Sequence, residues 1–231
     1  MNLLAIETAT EACSVALSID GDLVERFEIA PRRHTELVLP WIDELLANAG
    51  VSKRQIDAIA VGRGPGAFTG VRLAVAVVQG IALALDRPVL AISTLAALAL
   101  EANAKPGRCV LSAIDARMGE IYLGAFRIDA DSLAIAVADE RLHIPSQALL
   151  LPADGEWLAV GSGFLAVGGA LRMELGERLS HCNPEALPHA AAIARLGLAA
   201  LARGEAISAD QLEPAYLRDK VAQTLVERGK A

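Results

Sequence analysis

Two hydrophobic periods alternate along the first third of the chain. Residues 2–6 are an apolar run, 13–19 alternate apolar and polar positions, and 23–29 follow the turn Asp20-Gly21-Asp22; three short strands are predicted. Pro31 closes that segment. Over 34–49 the apolar spacing becomes helical, and Gly50 stops it. Residues 56–61 predict a further strand, Gly62-Arg63-Gly64-Pro65-Gly66 a turn cluster, and 69–85 a long apolar helix broken by Asp86-Arg87-Pro88. A buried strand at 89–92 and another Ala/Leu-rich helix follow.

Lys105-Pro106-Gly107 is the sharpest boundary signal. Beyond it strands return at 109–114, 121–128 and 134–142, then at 157–160, before a helix at 190–201. Strands followed by strand–helix alternation, twice over, predict two related α/β lobes, 1–105 and 106–218, with a charged, loose tail at 219–231. Composition agrees: 54% of the 231 residues are hydrophobic and 21% charged, enough for a sizeable core and too apolar for disorder. The net charge of -7 argues against unaided binding of nucleic-acid phosphates. Cys13, Cys109 and Cys182 are far apart and form no CxxC pair, which suits a reducing compartment. The N-terminus lacks a basic signal region, and the apolar stretch over 73–85 is interrupted by Gln79 and Gly80, short of a membrane span. A cytoplasmic protein, with no membrane partner, is expected.

Several patterns invite a chemical reading. Gly62 to Gly70 lies between a strand and a helix, where free N–H groups can hold an anion, but it lacks the lysine of a Walker loop. The plainer reading is a tight connection that needs positive φ. Gly161-Ser162-Gly163-Phe164-Leu165-Ala166 fits a relaxed dinucleotide pattern, yet its preceding strand is short and no ribose-binding acid follows in a βαβ unit. Ile6-Glu7-Thr8-Ala9-Thr10 resembles the first phosphate loop of actin-like ATPases and sugar kinases, with Glu7 for the usual Asp and Ala9 for the usual Gly; a hairpin closed by small polar residues reads equally well. His34, His143, His181 and His189 have no metal-binding spacing, and the last two read as solvated loop residues. Asp115-Ala116-Arg117 is a functional turn or a self-neutralising one. No catalytic, cofactor or metal residue is assigned.

The helices hold the anomaly. A helix facing one core carries an apolar stripe somewhat over about 100° wide. Over 69–85, Val71, Leu73, Val75, Val77, Val78, Ile81, Leu83 and Leu85 point almost everywhere, leaving Thr69, Arg72 and Gln79 as a narrow polar stripe. Over 34–49, Leu37, Val38, Trp41, Ile42 and Leu45 form one face that Leu39 and Leu46 widen, with Pro40 as a kink or a reset start. Surplus apolar surface implies a covering partner or burial under the second lobe. An interface on Leu37, Leu39, Trp41, Ile42, Leu45, Leu46, Val71, Val75, Val78 and Leu83 is expected, with Leu39, Leu46, Val75 and Leu83 outermost.

Gly64-Pro65-Gly66-Ala67-Phe68-Thr69-Gly70-Val71-Arg72 with Gln79-Gly80 resembles the signature of the TsaB (YeaZ) family. Ile92-Ser93-Thr94-Leu95, Asp115-Ala116-Arg117-Met118 with Glu120 and Tyr122, and Glu213-Pro214 with Tyr216-Leu217-Arg218 match its later motifs in order, so the resemblance covers nearly the whole chain. It implies an α/β actin/Hsp70/sugar-kinase-like two-lobe fold without a complete active site. It further implies a non-catalytic partner of TsaD, required for threonylcarbamoyl transfer to N6 of adenosine 37 in tRNAs reading codons that begin with A. TsaE joins the larger assembly, tRNA is met only through the complex, a homodimer can use the same helices, and no cofactor is bound by this subunit alone. TsaD-like proteins carry a His-x-x-x-His metal motif where this chain has Thr94 and Leu98, which cannot replace two imidazoles. The rival reading is a nucleotide-dependent phosphotransferase using Glu7 and the glycine loop. A basic pair, Arg32 and Arg33, is the candidate for tRNA contact within the complex.

Overall fold

A computed structural model describes residues 1–218; the expected tail at 219–231 lies outside the described residues. Strands β1 (Asn2–Glu7), β2 (Ala12–Ile19) and β3 (Asp22–Ile29) form an antiparallel meander. β4 (Ala58–Gly62) then joins β1 in parallel and β5 (Val89–Ile92) joins β4, giving the order β3-β2-β1-β4-β5. The second half repeats the pattern. β6 (Cys109–Arg117), β7 (Glu120–Ile128) and β8 (Ala134–His143) are the meander, and β9 (Trp157–Val160) and β10 (Leu179–Asn183) are the parallel additions, in the order β10-β9-β6-β7-β8. Two lobes of one topology are the architecture expected of the actin/Hsp70/sugar-kinase type.

Period-two alternation sorts the first sheet into two unlike faces. Leu4, Ile6, Val15, Leu17, Ile59 and Val61 share a core with α1 (His34–Asn48) and α2 (Phe68–Leu85). Leu3, Ala5, Ala16, Ala58 and Ala60 face α5 (Ala190–Ala202), and α3 (Thr94–Leu100) belongs to the same core. The alanines of that second face let α5 come close: a Cβ on Gly197 would lie 2.7 Å from the Cβ of Ala60. All seven residues of α3 are buried, because it also packs on β6, β7 and β8 and so fills the space between the sheets. α5 comes late in the chain but covers the first sheet, and its N-terminus is capped from a distance. The Ser14 hydroxyl accepts from Ala190 N–H (2.9 Å) and the Glu25 carboxylate from Ala191 N–H (3.0 Å).

Two elements lie outside the sequence expectations. α4 (Ala166–Leu175) is interrupted by left-handed residues at Val167, Gly168 and Gly169, which breaks its apolar period. β10 is a polar edge strand with three of five residues exposed, so nothing alternates. His181 lies in this strand and is exposed, not in a loop. α1 runs through Pro40, which sits on its exposed side.

Candidate functional site

Strand β1 ends at Glu7, which faces Thr94 at the start of α3. Its side chain is fully buried: Oε1 accepts from Ala9 N–H (2.6 Å) and Oε2 from the Thr94 hydroxyl (2.8 Å), which in turn accepts from Gly64 N–H (3.2 Å). Burial pushes the Glu7 carboxyl up to about 7, against the hydrogen bonds from Ala9, Thr94 and Thr8. A Cβ on Gly62 would overlap Glu7 Oε2, so the carboxylate fills the space that this glycine leaves. Leu98, one turn beyond Thr94, is also buried. A carboxylate enclosed in this way cannot reach a substrate phosphate or a solvated metal ion.

The glycine cluster owes its composition to close packing. Only Gly64 (φ +98°) adopts positive φ there; Gly66 and Gly70 have backbone atoms of Ala9 and Thr8 where a Cβ would go. Ala67 N–H donates to Ala9 O (2.7 Å) and the Thr8 hydroxyl to Gly70 O (2.7 Å), clamping the β1–β2 turn onto the start of α2. The positive φ expected of a tight connection is thus adopted at Gly64 alone in this cluster. Gly161 and Gly163 likewise press against Ala113 of β6, and Ser162 Oγ accepts from Asp115 N–H (3.1 Å).

Among the described residues no group of His, Cys, Asp or Glu is placed to hold a metal. His34 Nε2 contacts the carbonyls of Thr10 (3.0 Å) and Ala12 (3.1 Å), and burial lowers His143. His189 is not a solvated loop residue. It stacks on Phe27 at 4.0 Å and meets Glu25 Oε2 at 3.0 Å, a bond that raises it above its ordinary value against burial. Both partners come from β3, more than 150 positions earlier, and leave no local signal for such a site. Arg33 pairs with Glu28 (2.7 Å) and Glu36 (3.7 Å), so the expected basic patch with Arg32 is half neutralised. Arg117 pairs with Asp115 (3.0 Å), the self-neutralising form of that turn.

The outer helices sort the expected interface residues into three groups. Ile42, Leu45, Leu46, Val71, Val75 and Val78 are buried in the chain's own core, Leu37 and Trp41 are half-buried against it, and Leu39 (52% exposed) and Leu83 (68%) face outward. Placing Leu46 and Val75 outermost is thus corrected. α2 is packed from two directions, by β1 and β4 and by the turn at Ala209–Gln211, which widens its buried arc to take in Val75. Beyond Leu46 the chain turns at Gly50, and Val51 folds back on the same core. At 18 residues, α2 is long and apolar enough to cross a membrane, unlike the interrupted stretch read from sequence; here its inner face lies on the sheet. Its outer face presents Phe68, Thr69, Ala76, Gly80, Leu83 and Ala84.

Against known proteins, residues 27–225 match the family described as TsaD, tRNA N6-adenosine threonylcarbamoyltransferase. The chain is 39% identical to the tRNA threonylcarbamoyladenosine biosynthesis protein TsaB of Escherichia coli K12, over 96% of each chain. It is 38% identical to TsaB of Haemophilus influenzae, over 96% of this chain and 95% of that one. A crystal structure from Pseudomonas aeruginosa, described as an uncharacterized protein with similarity to peptidase YEAZ, superposes with a TM-score of 0.86 at 42% identity, covering 94% of this chain and 99% of its own.

Proposed function

The chain belongs to the TsaB (YeaZ) family, acting in the biosynthesis of the threonylcarbamoyladenosine of tRNA, and on that premise we propose that it is the non-catalytic partner subunit of a TsaD-type transferase. The observation that carries this reading is the enclosed carboxylate: Glu7, on the segment that resembles a phosphate loop, and Thr94 bond to each other and are both fully buried. Transfer to adenosine 37 then belongs to the partner, and this subunit contributes surface. The outward side chains of α1 and α2, Leu39 and Leu83 foremost, supply it. A helical bundle with the equivalent pair of the partner covers them, and a homodimer can cover the same residues when the partner is absent. TsaE joins the larger assembly, tRNA is met through the complex, no cofactor is held by this subunit alone, and the setting is the cytoplasm. Lobes 1–105 and 106–218 act as one body around α3.

Reconstituted tRNA modification tests the reading. Activity should require this chain and survive Glu7→Gln, which keeps the shape of the buried side chain and removes its charge. Loss of activity in a folded Glu7→Gln complex, or turnover of ATP by the chain alone, would instead return Glu7 to catalysis.

A further inference from the structure

Arg72 stands apart from the other arginines of the chain. Its guanidinium carbon lies 3.2 Å from the centroid of the Phe68 ring and 4.9 Å from that of Tyr216. Both rings are 56% exposed. Tyr216 is held there by a segment, residues 212–218, that is anchored on both sides of it. Leu212 is buried and its carbonyl accepts from Gln79 Nε2 (3.1 Å), and Ala215 N–H donates to Arg63 O (2.8 Å). In the second lobe the Arg218 guanidinium donates to Ala116 O (3.0 Å) and pairs with the Glu120 carboxylate. The segment therefore crosses from one lobe to the other and lays Tyr216 over Arg72.

Six arginines, among them Arg26, Arg33, Arg108 and Arg218, have a carboxylate partner and others have none; among the described residues Arg72 alone is stacked on aromatic rings. Arg72 has no carboxylate partner among the described residues, and its one hydrogen bond, to Phe68 O, is 3.4 Å long. Aromatic stacking has fixed a side chain that ordinarily keeps much rotamer freedom, while its forked N–H edge still lacks a strong acceptor. Such a group is organised in advance for bidentate bonding to a carboxylate, and Arg with Tyr is a recurrent pairing at the energetic centre of protein interfaces. One helical turn along, the outer apolar face of α2 continues through Ala76, Gly80 and Leu83.

We propose that Arg72 is the charged anchor of this face and binds the carboxylate of an acidic side chain on the protein partner that covers α2. The proposal rests on the interface reading above and adds the chemistry the partner must present. An RNA phosphate would satisfy the same fork, but a net charge of -7 and flanking apolar surface favour a protein.

The test compares full-length variants binding the transferase partner, with circular dichroism verifying each fold. Arg72→Ala should weaken the complex roughly tenfold to a hundredfold, with a shallower salt dependence than wild type. Arg72→Lys should recover only part of that loss, since an ammonium cannot supply the fork, and Tyr216→Ala should weaken binding less. Arg72→Gln serves as the second truncation if alanine disturbs the helix. Wild-type affinity in folded Arg72→Ala beside lost binding in Leu83→Glu overturns the anchor and leaves the face standing. Wild-type affinity in both removes the face and the anchor with it. Unchanged protein affinity with weaker tRNA binding by the assembled Arg72→Ala complex assigns the fork to phosphate and also overturns the proposal.

Discussion

Helices α2 and α5 are written in nearly the same letters, Ala, Leu, Val or Ile and a glycine, and meet opposite fates. α5 exposes only Arg195 and Ala202, because the alanine face of the first sheet lies beneath it and α3 beside it. α2 has the sheet on one side and leaves six residues exposed, Leu83 at 68%. Apolar composition states how much surface must be covered; the opposing faces decide what covers it. The glycines mark the difference. Gly197 has Ala60 where its Cβ would be, and Gly80 has nothing within 4 Å.

The largest expected effect comes from placing a charge on each helix. Ile193→Glu buries an unpaired carboxylate in a fully enclosed position and should cost about 4 kcal/mol or more, enough to abolish the folded circular dichroism signal. Leu83→Glu should leave the isolated chain within about 0.5 kcal/mol of wild type while preventing assembly seen by sedimentation. A Leu83→Glu chain that melts far below wild type would break the comparison. Next, Gly197→Ala should destabilise by about 1–3 kcal/mol in denaturant melts, since the overlap with Ala60 outweighs the gain in helix propensity.

A smaller effect follows pH and should touch α5 alone. Burial pushes the Glu25 carboxyl up, but hydrogen bonds from His189, Ser14 and Ala191 N–H outweigh it and hold it below its ordinary 4.5. Its stabilisation is present above 4.5 and lost as pH falls through the lowered value. The bond from Glu25 holds His189 above 6.5, so that contribution is full below 6.5 and lost as pH rises through the raised value. Docking of the α5 N-terminus should therefore be firmest between 4.5 and 6.5. Amide exchange at Ala190 and Ala191 should accelerate outside that window by the equivalent of about 1 kcal/mol, and His189→Gln should flatten the alkaline limb. The smallest change is Gly80→Ala, which should raise the stability of the isolated chain by about 0.5–1 kcal/mol.

Where side chains repeat on a short period, the sequence was enough. The three strands of each meander, the runs of α1, α2 and α5, and the turn at Lys105-Pro106-Gly107 all follow from neighbours a few positions apart. What escaped depends on residues far apart in the chain. The narrow polar stripe on α2 carried no sign of a partner in the sequence, yet Arg72 and Gln79 are where residues 212–218 cross it. Glu7 read as either a phosphate-loop acid or a hairpin residue, and only Thr94, 87 positions later, closes it off. Leu46 and Val75 lie off the narrow stripe, and only a second packing direction buries them. The family's motifs marked Tyr216 and Arg218 without giving a reason for either.

The placement of α5 has a consequence at the ribosome. The face of the first sheet that carries Leu3, Ala5, Ala58 and Ala60 is complete once β5 has emerged, but its cover is encoded by Ala190–Ala202. For the translation of roughly 100 further residues, on the order of 5–20 s, that apolar sheet stays wet or is guarded by a chaperone. Nascent chains arrested before residue 190 should accordingly be bound by holdases and be open to proteases at strands that are fully protected in the finished protein.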